Sequence, residues 1–104
     1  MMYDVVISEI AEVDIDGIHI YISEEHCSPK AADALLDKFE HCILDLRQMP
    51  NRYSLVAHDR LARKGIRSVP VKNYIIFYYA DEQAKTVTIT RVMYGKRDWA
   101  NLLQ

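Results

Sequence analysis

At 104 residues, half of them apolar, the chain has the length of one domain, residues 1–104, and domains of this size bury roughly two-thirds of their unfolded surface, enough to fold without disulfides or metal. No apolar run approaches the ~18 residues of a membrane-spanning helix, and the opening "MMYDVVISEI", with Asp4 and Glu9 and no basic n-region, is not a secretory signal, so a cytoplasmic protein with Cys27 and Cys42 as free thiols is expected. The net charge of −2 conceals an asymmetry: residues 1–45 carry eleven acids and two Lys/Arg, residues 46–104 four acids and eleven Lys/Arg, so that a positive face can coexist with a pI near 6.

Residues 3–8, "YDVVIS", read as a short strand. Residues 12–22, "EVDIDGIHIYI", fit two patterns. The Asp16-Gly17 pair between isoleucines suggests a tight hairpin, whereas Ala11, Ile15, Ile18 and Ile22 recur at steps of four, three and four, as on one face of a helix. The segment "SPKAADALLDKFEHCILDLRQM" is a helix: Ser28 suits the N-cap, Pro29 the first helical position, and Ala32, Leu35, Leu36, Phe39, Ile43 and Leu46 form one apolar face. Pro50 and Asn51 end it.

Three β-rich runs follow, residues 65–71, 74–80 and 86–93, joined by connections of hairpin length. Pro70 has no N–H to give to a ladder, which places its strand at an edge or ends it there. "YIIFYY" is apolar on both faces, as in a strand covered on both sides or one that awaits a partner on one side. Residues 98–104, "DWANLLQ", fit a short helix capped by Asp98. The order specifies an α+β fold in which an N-terminal strand and a three-stranded antiparallel meander form one sheet, packed on one face against two helical segments.

Metal chemistry finds little support. His26-Cys27 and His41-Cys42 are fifteen residues apart, whereas zinc ligands pair at spacings of about two to five. Neither cysteine carries a catalytic signature, and Gly17, Gly65 and Gly95 are isolated, without a phosphate-binding loop. The densest chemistry is "RVMYGKRDW", residues 91–99, where Arg91, Lys96 and Arg97 accompany Tyr94 and the single tryptophan, Trp99. Arginine forks suit phosphate or carboxylate. Three readings stand side by side: a phosphate site able to cleave RNA with Arg97, Tyr94 and His58, a surface for docking a protein, and a solvated strand end.

The runs "GIRSVPVKNYIIFYY" and "VTITRVMYGKRD", with their spacing, resemble the C-terminal half of the RelE/ParE superfamily of type II toxins, the ParE-like branch in particular. The resemblance covers about a third of the chain; the remainder matches in layout, a strand and then a helical hairpin, and on that ground residues 12–22 are assigned to a helix. It implies a toxin inhibiting a cellular protein, with DNA gyrase the leading target, and neutralised by a cognate antitoxin in a hetero-oligomer, with no cofactor and no metal. Arg67, Arg91, Lys96, Arg97 and Trp99 are then the target-binding candidates, and Ile76 and Tyr78 the antitoxin-binding candidates. RelE-like relatives, which cut mRNA on the ribosome, are the alternative: Arg97 matches one of their catalytic positions. Ile66, Ser68 and Ile75 stand where that branch places basic side chains, and isoleucine can neither hold a phosphate nor move a proton. A relative that has lost toxicity and only binds is the third possibility.

Overall fold

The computed structural model describes residues 2–103, so that Gln104, the last residue of the expected C-terminal helix, lies outside it. The elements run β1 (Asp4–Ile7), α1 (Glu9–Ile20), α2 (Pro29–Asp45), α3 (Asp59–Arg63), β2 (Arg67–Val71), β3 (Tyr74–Asp81), β4 (Thr86–Tyr94) and α4 (Trp99–Leu103). The sheet order is β1-β4-β3-β2, with β1 parallel to β4 and the three C-terminal strands antiparallel. Among the described residues no helix is long and apolar enough to cross a membrane.

The ambiguous segment is helical for reasons at both of its ends. Ser8 caps α1: its Oγ accepts from the Ala11 N–H at 3.1 Å and donates to the Thr90 carbonyl at 3.0 Å, so the cap also fastens the helix to β4. Glu9 and Glu12 lie in the first turn, where carboxylates favour the helix dipole. Ala11 is fully buried, and Ile15, Ile18 and Ile22 pack on the same core; that burial outweighs the roughly 1 kcal/mol that Gly17 costs inside a helix. A π-helical turn, Tyr21–Glu25, extends α1, and Cys27 at φ 51° then reverses the chain. Ser28 caps α2, with Pro29 behind it, as the sequence specifies.

A bulge in β4 decides which side chains face the helices. The register shifts at Phe77/Tyr78, leaving Thr90 as the extra residue between Ile89 and Arg91. Val87 and Ile89 precede the shift and Val92 follows it, yet all three join the core beneath α1 and α2. Met93 turns to the opposite face, where Ile75 and Phe77 meet Leu61 of α3 and Trp99 and Leu103 of α4. The expectation of helices on one face is thereby extended: α1 and α2 cover one face, and the short α3 and α4 cover part of the other.

This two-sided covering corrects one assignment. Ile76 and Tyr78, the antitoxin-binding candidates, are fully buried in the core under α1 and α2, and the Tyr78 hydroxyl donates to the Pro50 carbonyl at 2.8 Å. They present no surface to a partner, because they lie on the face of β3 that α1 and α2 cover.

The join between α1 and the free end of β4 rests on one carboxylate. Beyond Ile89, β4 has lost β1 as a neighbour. There Asp14 accepts from the Val92 N–H at 3.0 Å and from Arg91 through two bonds, Nε at 2.8 Å and Nη2 at 3.0 Å. The bond to Asp14 holds the Arg91 guanidinium above its ordinary pKa against the opposing effect of burial.

Two outcomes test this framework. Asp14→Ala leaves Arg91 and the Val92 amide unpaired and is expected to destabilise the chain by about 3–5 kcal/mol, and Arg91→Ala by a similar amount, with the double variant costing less than the sum in urea unfolding. Burial pushes the Tyr78 hydroxyl up to about 12 from its ordinary value of 10. A raised folded value means that the neutral phenol stabilises the fold; this contribution is complete below pH 10 and is lost as pH rises through about 12. The urea midpoint should fall across that window, and more shallowly in Tyr78→Phe.

Candidate functional site

A groove of about 1290 Å³ opens between the helical hairpin and the end of the β3–β4 ribbon. From α1 and its π-turn come Val13, Gly17, Ile18, Tyr21 and Ile22; from α2, Ala31, Ala34, Leu35 and Lys38; from the β2–β3 turn and the end of β4, Lys72, Tyr74, Tyr94 and Arg97. Its walls are apolar and phenolic, and its charge is positive. Asp14 is the one acid in the lining and is committed to Arg91, whereas Lys38, Lys72 and Arg97 have no ion-pair partner among the described residues. His26 adds an imidazole, its ring edge-on to Tyr21 at 4.9 Å.

Tyr74 sits in the middle of an aromatic row, 6.0 Å from Phe39 and 5.9 Å from Tyr94 between ring centroids, both edge-to-face. Burial, and then the neighbouring phenols of Tyr21 and Tyr94, push its hydroxyl above the ordinary tyrosine range. Tyr74 is therefore held neutral, as a hydrogen-bond donor and acceptor and not as a base.

Three features of the groove oppose stability. Gly17 lies in a helix interior although a Cβ there would have no atom within 4 Å. Lys72 adopts φ 56°, where a side chain is strained and glycine or asparagine is usual. Val13 keeps 70% of its surface in water. Their convergence on one concavity, with unpaired cations on its rim, is the mark of a surface shaped for a partner.

The expected site residues divide. Arg97 and Tyr94 line the groove, and Lys96 is exposed beside them. Arg91 and Arg67 are engaged within the fold, Arg91 by Asp14 and Arg67 by the Tyr53 carbonyl at 2.7 Å. Trp99 packs its ring 5.3 Å from Phe77 in the second core. His58 caps α3, its Nδ1 accepting from the Leu61 N–H at 3.4 Å, and is not in the groove lining. Gly17, Tyr21 and Lys38 were not singled out as site residues by the sequence, whereas Lys72 belongs to the basic residues that a three-stranded meander draws together. An unexplained glycine in a helix and a lysine in a two-residue turn were the available signals. Among the described residues no cluster of His, Cys, Asp or Glu is placed to hold a metal ion.

This architecture, a helical hairpin over a four-stranded sheet, is also seen in solved toxin–antitoxin complexes. The RelBE2 complex from Mycobacterium tuberculosis contains a chain with a TM-score of 0.63 and 22% identity, matched over 90% of this chain and 99% of that one. A chain of the chromosomal ParDE system from P. aeruginosa matches at a TM-score of 0.66 and 18% identity, over 89% and 96%. No curated protein matches the sequence. The family model for the ParE toxin of the type II toxin–antitoxin system parDE matches residues 5–99, and the chain belongs to that family.

The stability cost of the groove is measurable in the isolated protein. Gly17→Ala should stabilise it by about 1 kcal/mol, and Lys72→Gly by a similar amount through relief of the positive φ, about 1 kcal/mol. Thermal unfolding checks both.

Proposed function

We propose that this chain is a toxin that acts by binding a cellular protein, DNA gyrase being the leading candidate, and that a cognate antitoxin neutralises it by laying an apolar, acidic segment in the groove. Membership of the ParE family supports the general role. The observation that carries the site is the groove itself: apolar walls, three cations on its rim with no ion-pair partner among the described residues, and a helix-interior glycine whose side-chain space is open. Lys38, Lys72 and Arg97 select acidic side chains, Tyr21, Tyr74 and Tyr94 give aromatic contact area, and the gap at Gly17 admits a bulky side chain between Val13 and Tyr21. Disordered segments that fold on binding use such surfaces.

RNA cleavage is the second reading, favoured by one observation: Arg97 and Tyr94 share the groove with Lys38, Lys72 and His26. Cleavage needs a base for the 2′-hydroxyl, an acid for the leaving oxygen and donors for the phosphorane. His58 is spent as a helix cap, and Ile66 is buried. Binding therefore accounts for more of the groove than cutting does.

Purified protein added to a gyrase supercoiling reaction should inhibit it, while translating ribosomes keep their transcripts intact. Codon-positioned cleavage would overturn the binding role, and induced expression that leaves growth unaffected would mark a relative without toxicity. Arg97→Ala should weaken inhibition about tenfold, as for one cation at an interface rim; a catalytic arginine would instead cost about 10²–10³ in cleavage. Lys72→Glu together with Arg97→Glu should weaken antitoxin binding at least about tenfold and flatten its salt dependence.

A further inference from the structure

The two edges of the sheet are protected unequally. Along β2 the Ser68 N–H donates to the Ser54 carbonyl at 3.2 Å, Leu55 bridges Arg67, and Pro70 has no N–H to offer. These are the usual defences of an edge strand. On β1 the Asp4 N–H donates to the Lys85 carbonyl at 2.9 Å and the Ser8 N–H to the Ile89 carbonyl at 3.0 Å. In a parallel ladder this turns Asp4, Val6 and Ser8 toward β4, and turns Tyr3, Val5 and Ile7 outward. Arg47 satisfies Tyr3 from outside, its carbonyl accepting at 2.8 Å and its Nε donating at 3.4 Å. Nothing comparable faces the outward groups of Val5 and Ile7 among the described residues.

The bare edge is self-complementary. An antiparallel pairing of Val5 with Ile7 of a second copy satisfies the outward N–H and C=O of all four residues, and it sets Val6 beside its own counterpart. Val6 is an exposed apolar residue, at 50%. Asp4 then faces Ser8, so no like charges oppose one another. We propose that β1 pairs with β1 of a second copy, antiparallel about Val6, and joins two four-stranded sheets into one of eight strands. So short a strand pair falls below the ~1,200 Å² of a stable interface, and the dimer is therefore weak and concentration-dependent. No β1 residue lines the groove, which plays no part in the pairing.

The register fixes a test. Val6 faces Val6 as a non-hydrogen-bonded antiparallel pair, with Cα atoms about 4.5 Å apart, a separation that accepts a disulfide. In a Cys27→Ser, Cys42→Ser background, Val6→Cys should give a disulfide-linked dimer under mild oxidation at least tenfold faster than Leu44→Cys, an equally exposed position on α2. Sedimentation of the unmodified chain should show a mass that rises with concentration, and Val6→Lys should abolish that rise while leaving circular dichroism unchanged. Equal oxidation rates at the two positions would overturn the proposal, as would a monomer at every concentration up to the solubility limit.

Discussion

The bond set of Asp14 is the constraint on which the rest of the architecture depends. One carboxylate takes a bidentate arginine and a strand amide, with both ionic side chains largely removed from water. It ties the middle of α1 to the stretch of β4 that β1 has already left. Without it the helix would keep its Ser8 cap and the apolar packing of Ala11, Ile15, Ile18 and Ile22, but would lose its ionic tie to that stretch of β4. The two walls of the groove are those that this carboxylate connects. Three cations against the single acid Asp14, itself paired with Arg91, leave the lining net positive although α1 is an acidic helix.

The acidic and basic halves of the chain acquire a structural meaning from this arrangement. Acidic residues of α1 and α2 mostly face solvent, whereas the cations at the β2–β3 turn and after β4 converge on the groove with Lys38 of α2. A chain of net charge −2 thus presents a local positive concavity. The gap at Gly17 and the positive φ of Lys72 lower stability on the same surface, a pattern that follows when a surface is shaped for an occupant.

Most of the fold was legible in the residues. Ser28-Pro29 and the apolar spacing behind them specify α2, and the strand runs and hairpin lengths specify the meander. Residues 12–22 carried a local turn signal that contradicted their helical stripe; tertiary burial of Ala11 and its neighbours decided between them, and a sequence window cannot weigh that energy. The β4 bulge was invisible for a related reason. An unbroken alternation assigns Val92 and Met93 to the faces opposite those they occupy, because Thr90 drops out of the pairing. The short α3, capped by a histidine, gave no usual start signal, and without it the far face of β3 looked vacant. Ile76 and Tyr78 were assigned to a partner because the run is apolar on both faces; they lie on the face that α1 and α2 cover. In the site, Arg97 and Tyr94 were visible as a dense cluster and Lys72 as a cation at the turn of the meander, whereas Tyr21 and Lys38 come from distant segments that only the folded topology brings to them.

Amide hydrogen exchange on the toxin, alone and with its antitoxin bound, tests the role of the groove most directly. Slowed exchange should concentrate at residues 13–26, 72–74 and 92–97, on the walls and rim of the concavity. Protection confined to α3, α4 and the outer edge of β2, with the groove residues unchanged, would contradict it.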